Sequence, residues 1–154
     1  MSILVTGASG FVGRHLCEQL RNSGRHCRAL VRPSSATDDL KTASHSIWVA
    51  DWDTGVGLET ALQGIETVVH CAGGGRVRRR SDYRRQNTET TRRLLEAVNA
   101  PSGTVRQVIL LSSLAARKPV SLYGQSKKAA EQLAKQAPVT TVTPRPPGIY
   151  GPGD

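Results

Sequence analysis

The sequence has no apolar run approaching the ~20 residues that a membrane span needs. No charged-then-apolar leader precedes the strand-like sequence that begins at Ile3, so export is not expected. Cysteine is scarce. Cys17, Cys27 and Cys71 are odd in number and show no metal-ligand spacing, which reads as three reduced, mostly buried thiols in a cytoplasmic protein. Internal repeats and low-complexity linkers are absent, and 154 residues fit one domain with a real core.

Negative charge is also in short supply, with 12 acidic residues against 21 lysines and arginines and a formal charge of +9. Arg76, Arg78, Arg79, Arg80, Arg84 and Arg85 cluster together, and Arg92 and Arg93 follow. The cluster holds one aromatic, Tyr83, and no RNA- or DNA-binding motif surrounds it. Nucleic acid is therefore the weakest of three readings, behind a solvated loop and helix face and a contribution to binding an anionic substrate or cofactor.

What is present is an alternation of apolar runs with helical patterns. Strands are expected at residues 3–5, 27–31, 46–50, 67–71, 105–111 and, more weakly, 139–142. Helices are expected at 11–20, 58–62, 83–98 and 122–137, the third of them stopped by Pro101 and Gly103. Unbroken apolar strands alternating with helices imply a parallel sheet covered on both faces. Pro144 is awkward where a central strand would want an N–H donor, and a proline- and glycine-rich exit follows it.

Gly7, Gly10 and Gly13 fall between the first strand and the first helix. One permits a tight turn, one lets backbone approach a phosphate and one lets the helix pack close to the strand. An ordinary flexible turn is the alternative; the placement favours a dinucleotide pyrophosphate at the helix N-terminus. After the second strand stands Arg32, flanked by Ser34 and Ser35, with no carboxylate before Asp38. An acid there would bind a ribose 2′-hydroxyl, whereas an arginine accommodates a 2′-phosphate, so NADP is favoured over NAD. Arg14 is placed to add a second positive charge. Asp51, after the third strand, either meets an adenine amino group or caps a turn. Gly73-Gly74-Gly75, after the fourth, would let a cofactor pass close to the backbone. The full expected cofactor set is Thr6, Gly7, Ser9, Gly10, Phe11, Val12, Gly13, Arg32, Asp51, Trp52, Cys71, Ala72, Gly73, Tyr123, Lys127, Pro146, Gly148 and Ile149, with no metal.

Tyr123 and Lys127 lie four apart, on one face of the helix expected there. A free phenol ionises near pH ~10, too high for ready proton exchange at neutrality, and an ammonium one turn away favours the phenolate. Alone, such a pair is common on surfaces; beside a dinucleotide fold it reads as an acid/base. Ser112 and Ser113 end the fifth strand, where a hydroxyl can bond a substrate oxygen as charge develops on it. Asn87 enters the long helix before that strand, placed to hold a water or orient the lysine.

Thr6-Gly7-Ala8-Ser9-Gly10-Phe11-Val12-Gly13, Asn87 before Thr91, Ser112-Ser113, Tyr123-x-x-x-Lys127 and the run from Arg145-Pro146-Pro147-Gly148 to Asp154 together resemble the extended short-chain dehydrogenase/reductase family, in its NAD-dependent epimerase/dehydratase group. The resemblance spans all 154 residues in the right order. It implies a Rossmann-type α/β fold, a doubly wound parallel sheet with helices on both faces. It also implies Tyr123 as general acid/base, Lys127 binding the nicotinamide ribose and tuning Tyr123, Ser113 polarising the substrate oxygen, and Ser112 as structural. The implied activity is that of a nicotinamide-dependent oxidoreductase or sugar epimerase acting on a small molecule, with a homodimer through the helices carrying Asn87 and Tyr123. Thr90 replaces the family's usual glycine, and Thr143-Pro144 interrupts the usual strand before Arg145. The family continues beyond Gly-Pro-Gly-Asp into a substrate-binding region, so a fragment or truncated product is expected, with a non-catalytic NADP-binding module or inactive fragment as the alternative function.

Overall fold

The computed structural model describes residues 2–40, 46–75, 77–100 and 103–154. Arg76 of the arginine cluster and Pro101, the expected helix stop, lie outside the described residues. Six parallel strands form one sheet in the order β3-β2-β1-β4-β5-β6. They are β1 Ile3–Thr6, β2 Cys27–Val31, β3 Ser46–Val49, β4 Thr67–His70, β5 Gln107–Leu110 and β6 Thr140–Val142. The helices are α1 Phe11–Asn22, α2 Leu58–Leu62, α3 Arg80–Tyr83, α4 Thr90–Val98 and α5 Leu122–Lys135. Strand order reverses at β1, whose neighbours are β2 on one side and β4 on the other. A doubly wound sheet of this kind opens a crevice at that point, beyond the carboxyl ends of the strands. The fold is Rossmann-type, as the family resemblance implies, and its sheet is parallel, as the strand–helix alternation implies.

Alternation along β1 divides the interior into two cores. Ile3 and Val5 pack with Cys17 and Leu20 of α1 on one face, joined by Leu40 from a short 3₁₀ turn. Leu4 packs on the other face with Leu58 and Leu62 of α2, Leu94 and Val98 of α4, and Ala130 and Ala134 of α5. A strand buried on both faces has no polar side to show, which is why its sequence reads as an unbroken apolar run. No helix among the described residues is long and apolar enough to cross a membrane.

Two elements differ from the sequence expectation. The long helix expected over 83–98 begins earlier, at Arg80, and is interrupted by a π-helical stretch, Arg84–Glu89. Thr90 and Thr91 explain how the wider turn is tolerated: Thr90 Oγ1 donates to the Gln86 carbonyl at 2.8 Å and Thr91 Oγ1 to the Asn87 carbonyl at 2.8 Å. Hydroxyls thus supplement main-chain donors where the helical ladder changes register. The second difference is at Pro144. Its carbonyl accepts from Ser112 N at 2.9 Å and that of Pro146 from Leu114 N at 3.0 Å, so main-chain bonding to the residues after β5 continues past β6. A proline lacks only the donor, and on an edge strand the acceptor suffices.

Candidate active site

The turn after β1 is built around glycines that have no substitute. Gly7 has φ +64°, and a Cβ there would lie 2.6 Å from the Ala72 nitrogen at the end of β4. Gly13 presses so closely on the Gly7 carbonyl that a Cβ would overlap it. Gly10 caps α1 without any side-chain hydrogen bond, leaving the first-turn N–H groups without a capping side chain. Thr6 and Gly13 support this turn from behind instead of lining the crevice, and Phe11 packs edge-on against His15 at 4.8 Å. Of the expected cofactor residues, Gly7, Ser9, Gly10, Arg32, Trp52, Cys71, Ala72 and Gly73 line one cavity over the turn.

Arg32 sits at the outer end of that cavity. Its backbone forms a reciprocal pair with Ser35, Arg32 N donating to Ser35 Oγ at 3.2 Å and Ser35 N to Arg32 O at 3.0 Å. The exposed guanidinium makes no ion pair among the described residues, and a second cavity beside it is lined by Ser34, Asp51 and Trp52. Arg14 makes a different contact; its guanidinium donates to the Gly153 carbonyl at 3.3 Å, near the end of the sequence. Asp51 caps a turn, as its second reading allowed, accepting from Asp53 N at 2.7 Å and Thr54 N at 3.1 Å through Oδ1. Those two N–H donors hold its carboxyl below the usual carboxylate range.

A further cavity contains Val12, Cys71, Gly73, Ser113, Tyr123, Lys127, Pro146, Gly148 and Ile149. Cys71 and Gly73 belong to both this cavity and the one over the glycine turn, so the two meet at the end of β4. The structure therefore brings the Ser113, Tyr123 and Lys127 expected as catalytic to one end of a crevice whose other end is Arg32. Ser121 starts α5 by accepting from Gly124 N at 3.0 Å, which sets the helix register that presents Tyr123 and Lys127 together. Gly124 is needed there because a Cβ would lie 2.5 Å from the Ala115 carbonyl.

Lys127 is buried, with Nζ donating to the Leu111 carbonyl at 2.9 Å. Burial pushes its pKa down to about 8, opposed by the nearby Cys71. The Cys71 thiol is itself pushed up to about 11 by burial, against the pull of Lys127. Asn87 is buried: Oδ1 accepts from Gly74 N at 3.2 Å, while Nδ2 donates to Gly74 O at 3.0 Å and to Ser126 Oγ at 3.1 Å. Its side chain joins the glycine wall to α5, and its Oδ1 and Lys127 Nζ both face the Cα of Gly73. The glycines of that wall are as closely fitted. A Cβ on Gly73 would stand 2.5 Å from Asn87 Oδ1 and 3.1 Å from Lys127 Nζ, and one on Gly74 would overlap Gln86 Oε1.

The two serines separate. Ser112 is buried and donates to Glu131 Oε1 at 2.6 Å, while Ser113 is half-buried in the cavity beside Tyr123 and accepts from Ala115 N at 3.2 Å. Glu131 is 1 % exposed and also receives a two-pronged ion pair from Arg145, at 2.7 Å on each oxygen. Sequence reasoning missed Glu131, Gln86 and the buried His70. Glu131 carried a legible signal, one helical turn beyond Lys127, but its partner Arg145 is 14 residues further on.

The model of the NAD dependent epimerase/dehydratase family matches residues 3–154. The chain belongs to that family. Among curated relatives of this family member, the ceramide reductase of Caulobacter vibrioides is 36% identical over 153 residues, covering 99% of this chain and 47% of the relative. A UDP-glucose 4-epimerase of Vibrio cholerae is 31% identical, covering 99% of this chain and 53% of the relative. The crystal structure of UDP-glucuronic acid 4-epimerase from Bacillus cereus in complex with NAD superposes with a TM-score of 0.83 at 28% identity, covering 100% of this chain and 58% of that one. The chain thus spans about half the length of the relatives it matches.

The residues present suit a dinucleotide. Gly7, Gly10 and Gly73 line the cavity with bare backbone, α1 begins without a capping side chain, and Arg32 supplies a cation without an ion pair among the described residues. Pro146, Gly148 and Ile149 wall the inner end, beside Tyr123 and Lys127.

Proposed function

We propose that this chain is the cofactor-binding and catalytic part of an oxidoreductase or epimerase that uses NADP in preference to NAD. The observation that carries the reading is the crevice itself, in which the glycine-turn cavity and the Tyr123–Lys127 cavity share Cys71 and Gly73 as a common wall. A bound nicotinamide would supply the hydride donor or acceptor. Gly7, Ser9 and Gly10 would hold the pyrophosphate, and the Arg32 guanidinium with Ser34 and Ser35 would hold the 2′-phosphate. Trp52 and Asp51 would hold the adenine end.

In the inner cavity Tyr123 would exchange a proton with the substrate oxygen through its phenol, and Ser113 would donate to the same oxygen as charge develops. Lys127 would bind the nicotinamide ribose and favour the phenolate by its charge. The substrate class is a small molecule with a secondary alcohol or ketone, either on a nucleotide-linked sugar or on a simpler carbonyl compound. The epimerase and ceramide reductase relatives support each of these in turn. Three thiols without a disulfide suit a reducing, cytoplasmic setting.

Replacing Tyr123 by Phe tests the assignment. Removing the proton donor alone should lower turnover by roughly 10²–10⁴-fold, with dinucleotide affinity nearly unchanged. A Phe variant turning over at the parent rate would remove Tyr123 from the mechanism.

A further inference from the structure

His70 is fully buried at the carboxyl end of β4, and the chemistry proposed above makes no use of it. Its ring nevertheless bridges two parts of the site. Nδ1 lies 2.7 Å from Thr6 Oγ1 and Nε2 lies 3.2 Å from Thr91 Oγ1. Thr6 immediately precedes Gly7 of the dinucleotide turn, and Thr91 stands one helical turn beyond Asn87.

The directions of these bonds follow from what each hydroxyl has left to give. Thr91 Oγ1 donates its single proton to the Asn87 carbonyl at 2.8 Å, so it accepts from the imidazole, and Nε2 carries the ring proton. Nδ1 is then bare and accepts from the Thr6 hydroxyl, whose oxygen in turn accepts from Ala72 N at 3.2 Å. The opposite tautomer would strand the Thr6 proton in a buried place and draw the Thr91 proton away from Asn87. A doubly protonated ring would strand the Thr6 proton as well. Burial, with the charge of Lys127, pushes the His70 pKa down to about 3, which keeps the ring neutral.

We propose that His70 is a positioning residue: in its Nε2–H tautomer it locks the dinucleotide turn to the Asn87 turn, and through Asn87 to the Gly74 wall beside Tyr123. The pyrophosphate end and the acid/base end of the crevice would then hold their spacing as one unit. This rests on the reading of the crevice as a dinucleotide site, but its hydrogen-bond direction does not.

Nitrogen-15 NMR of the histidine-labelled chain reads the tautomer with or without cofactor. The expected result is a protonated Nε2 and a bare Nδ1 for His70, constant across the neutral pH range; the Nδ1–H tautomer, or a mixture, would overturn the proposal. Thr91→Val then removes the hydroxyl with little change of shape. It is expected to shift the Gly74 amide resonance and to weaken NADPH binding roughly three- to tenfold, and Thr91→Ser to restore both. An unmoved Gly74 amide in the folded Val variant would also overturn it. A parent chain that shows the tautomer and the Gly74 response yet binds no dinucleotide would sustain the positioning role and remove the cofactor reading instead.

Discussion

Gly13 shows how tightly single residues define the turn. A methyl there would overlap the Gly7 carbonyl, and α1 can escape only by moving away from β1. Gly13→Ala is expected to cost at least about 1–3 kcal/mol of stability and to weaken dinucleotide binding, measurable by urea unfolding and by nicotinamide fluorescence. Gly24→Ala makes a useful contrast, because nothing lies within 4 Å of its Cβ position and only its φ of +71° resists the change. Lys127 yields a pH prediction. With its pKa lowered to about 8, the ammonium is present below that pH and lost as pH rises through it. Activity is therefore expected to fall along an alkaline limb near pH 8, and Lys127→Arg, if it turns over substrate, to lack that limb because guanidinium stays charged. A limb of the same position in the Arg variant would assign it to another group. At this scale the glycine spacing and the Tyr-x-x-x-Lys pair were legible, because turn sterics and helical periodicity are local. The partners of Asn87 were not, because they are brought in from the loop after β4 and from α5; the split between Ser112 and Ser113 came from the family resemblance, while the Glu131 that holds Ser112 did not.

At the scale of elements, α5 is held to the end of β5 and to the segment after β6 by one buried carboxylate. Glu131 takes the Ser112 hydroxyl and both prongs of Arg145, while Lys128 approaches it at 3.7 Å. Arg145, first among the causes, and Ser112 hold the Glu131 carboxyl below its ordinary range. The sign follows directly. A depressed carboxylate stabilises the fold above its unfolded pKa, and that contribution disappears as pH falls through the lower, folded value. Glu131→Gln should cost about 2–3 kcal/mol near neutrality, less than a fully buried pair because the Arg145 side chain is 33% exposed. The same variant should show a smaller loss of stability on acidification, checked by urea titrations at several pH values. An identical acid dependence in the two proteins would show that Glu131 is not held by Arg145. Element type was legible almost throughout, with ends moved by one to three residues. The π-helical stretch, Arg84–Glu89, escaped the reading because its cause is not an apolar period. The stretch is marked instead by the Thr90 and Thr91 hydroxyls, which donate to the Gln86 and Asn87 carbonyls.

For the molecule as a whole, strand–helix alternation implied a parallel sheet covered on both faces but not its strand order, which right-handed crossovers restrict to a few windings and the structure supplies. The crevice then falls at the reversal beside β1, and the motifs at residues 6–13 and 123–127 meet there although more than a hundred residues separate them. The net charge of +9 is consistent with an anionic ligand, and the arginines divide by use. Arg84 and Arg92 pair with Glu89, Arg85 approaches Asp53 at 3.7 Å and Arg80 donates to Gln125, while Arg32 lines the crevice without an ion pair among the described residues. The measurement that tests the central claim most directly is a titration of the 154-residue chain with NADPH and with NADH, followed by nicotinamide fluorescence. The account predicts saturable binding with NADPH tighter than NADH by about tenfold, roughly one charge-assisted phosphate contact, and a difference that vanishes in Arg32→Ala. A folded chain that binds neither dinucleotide would contradict it.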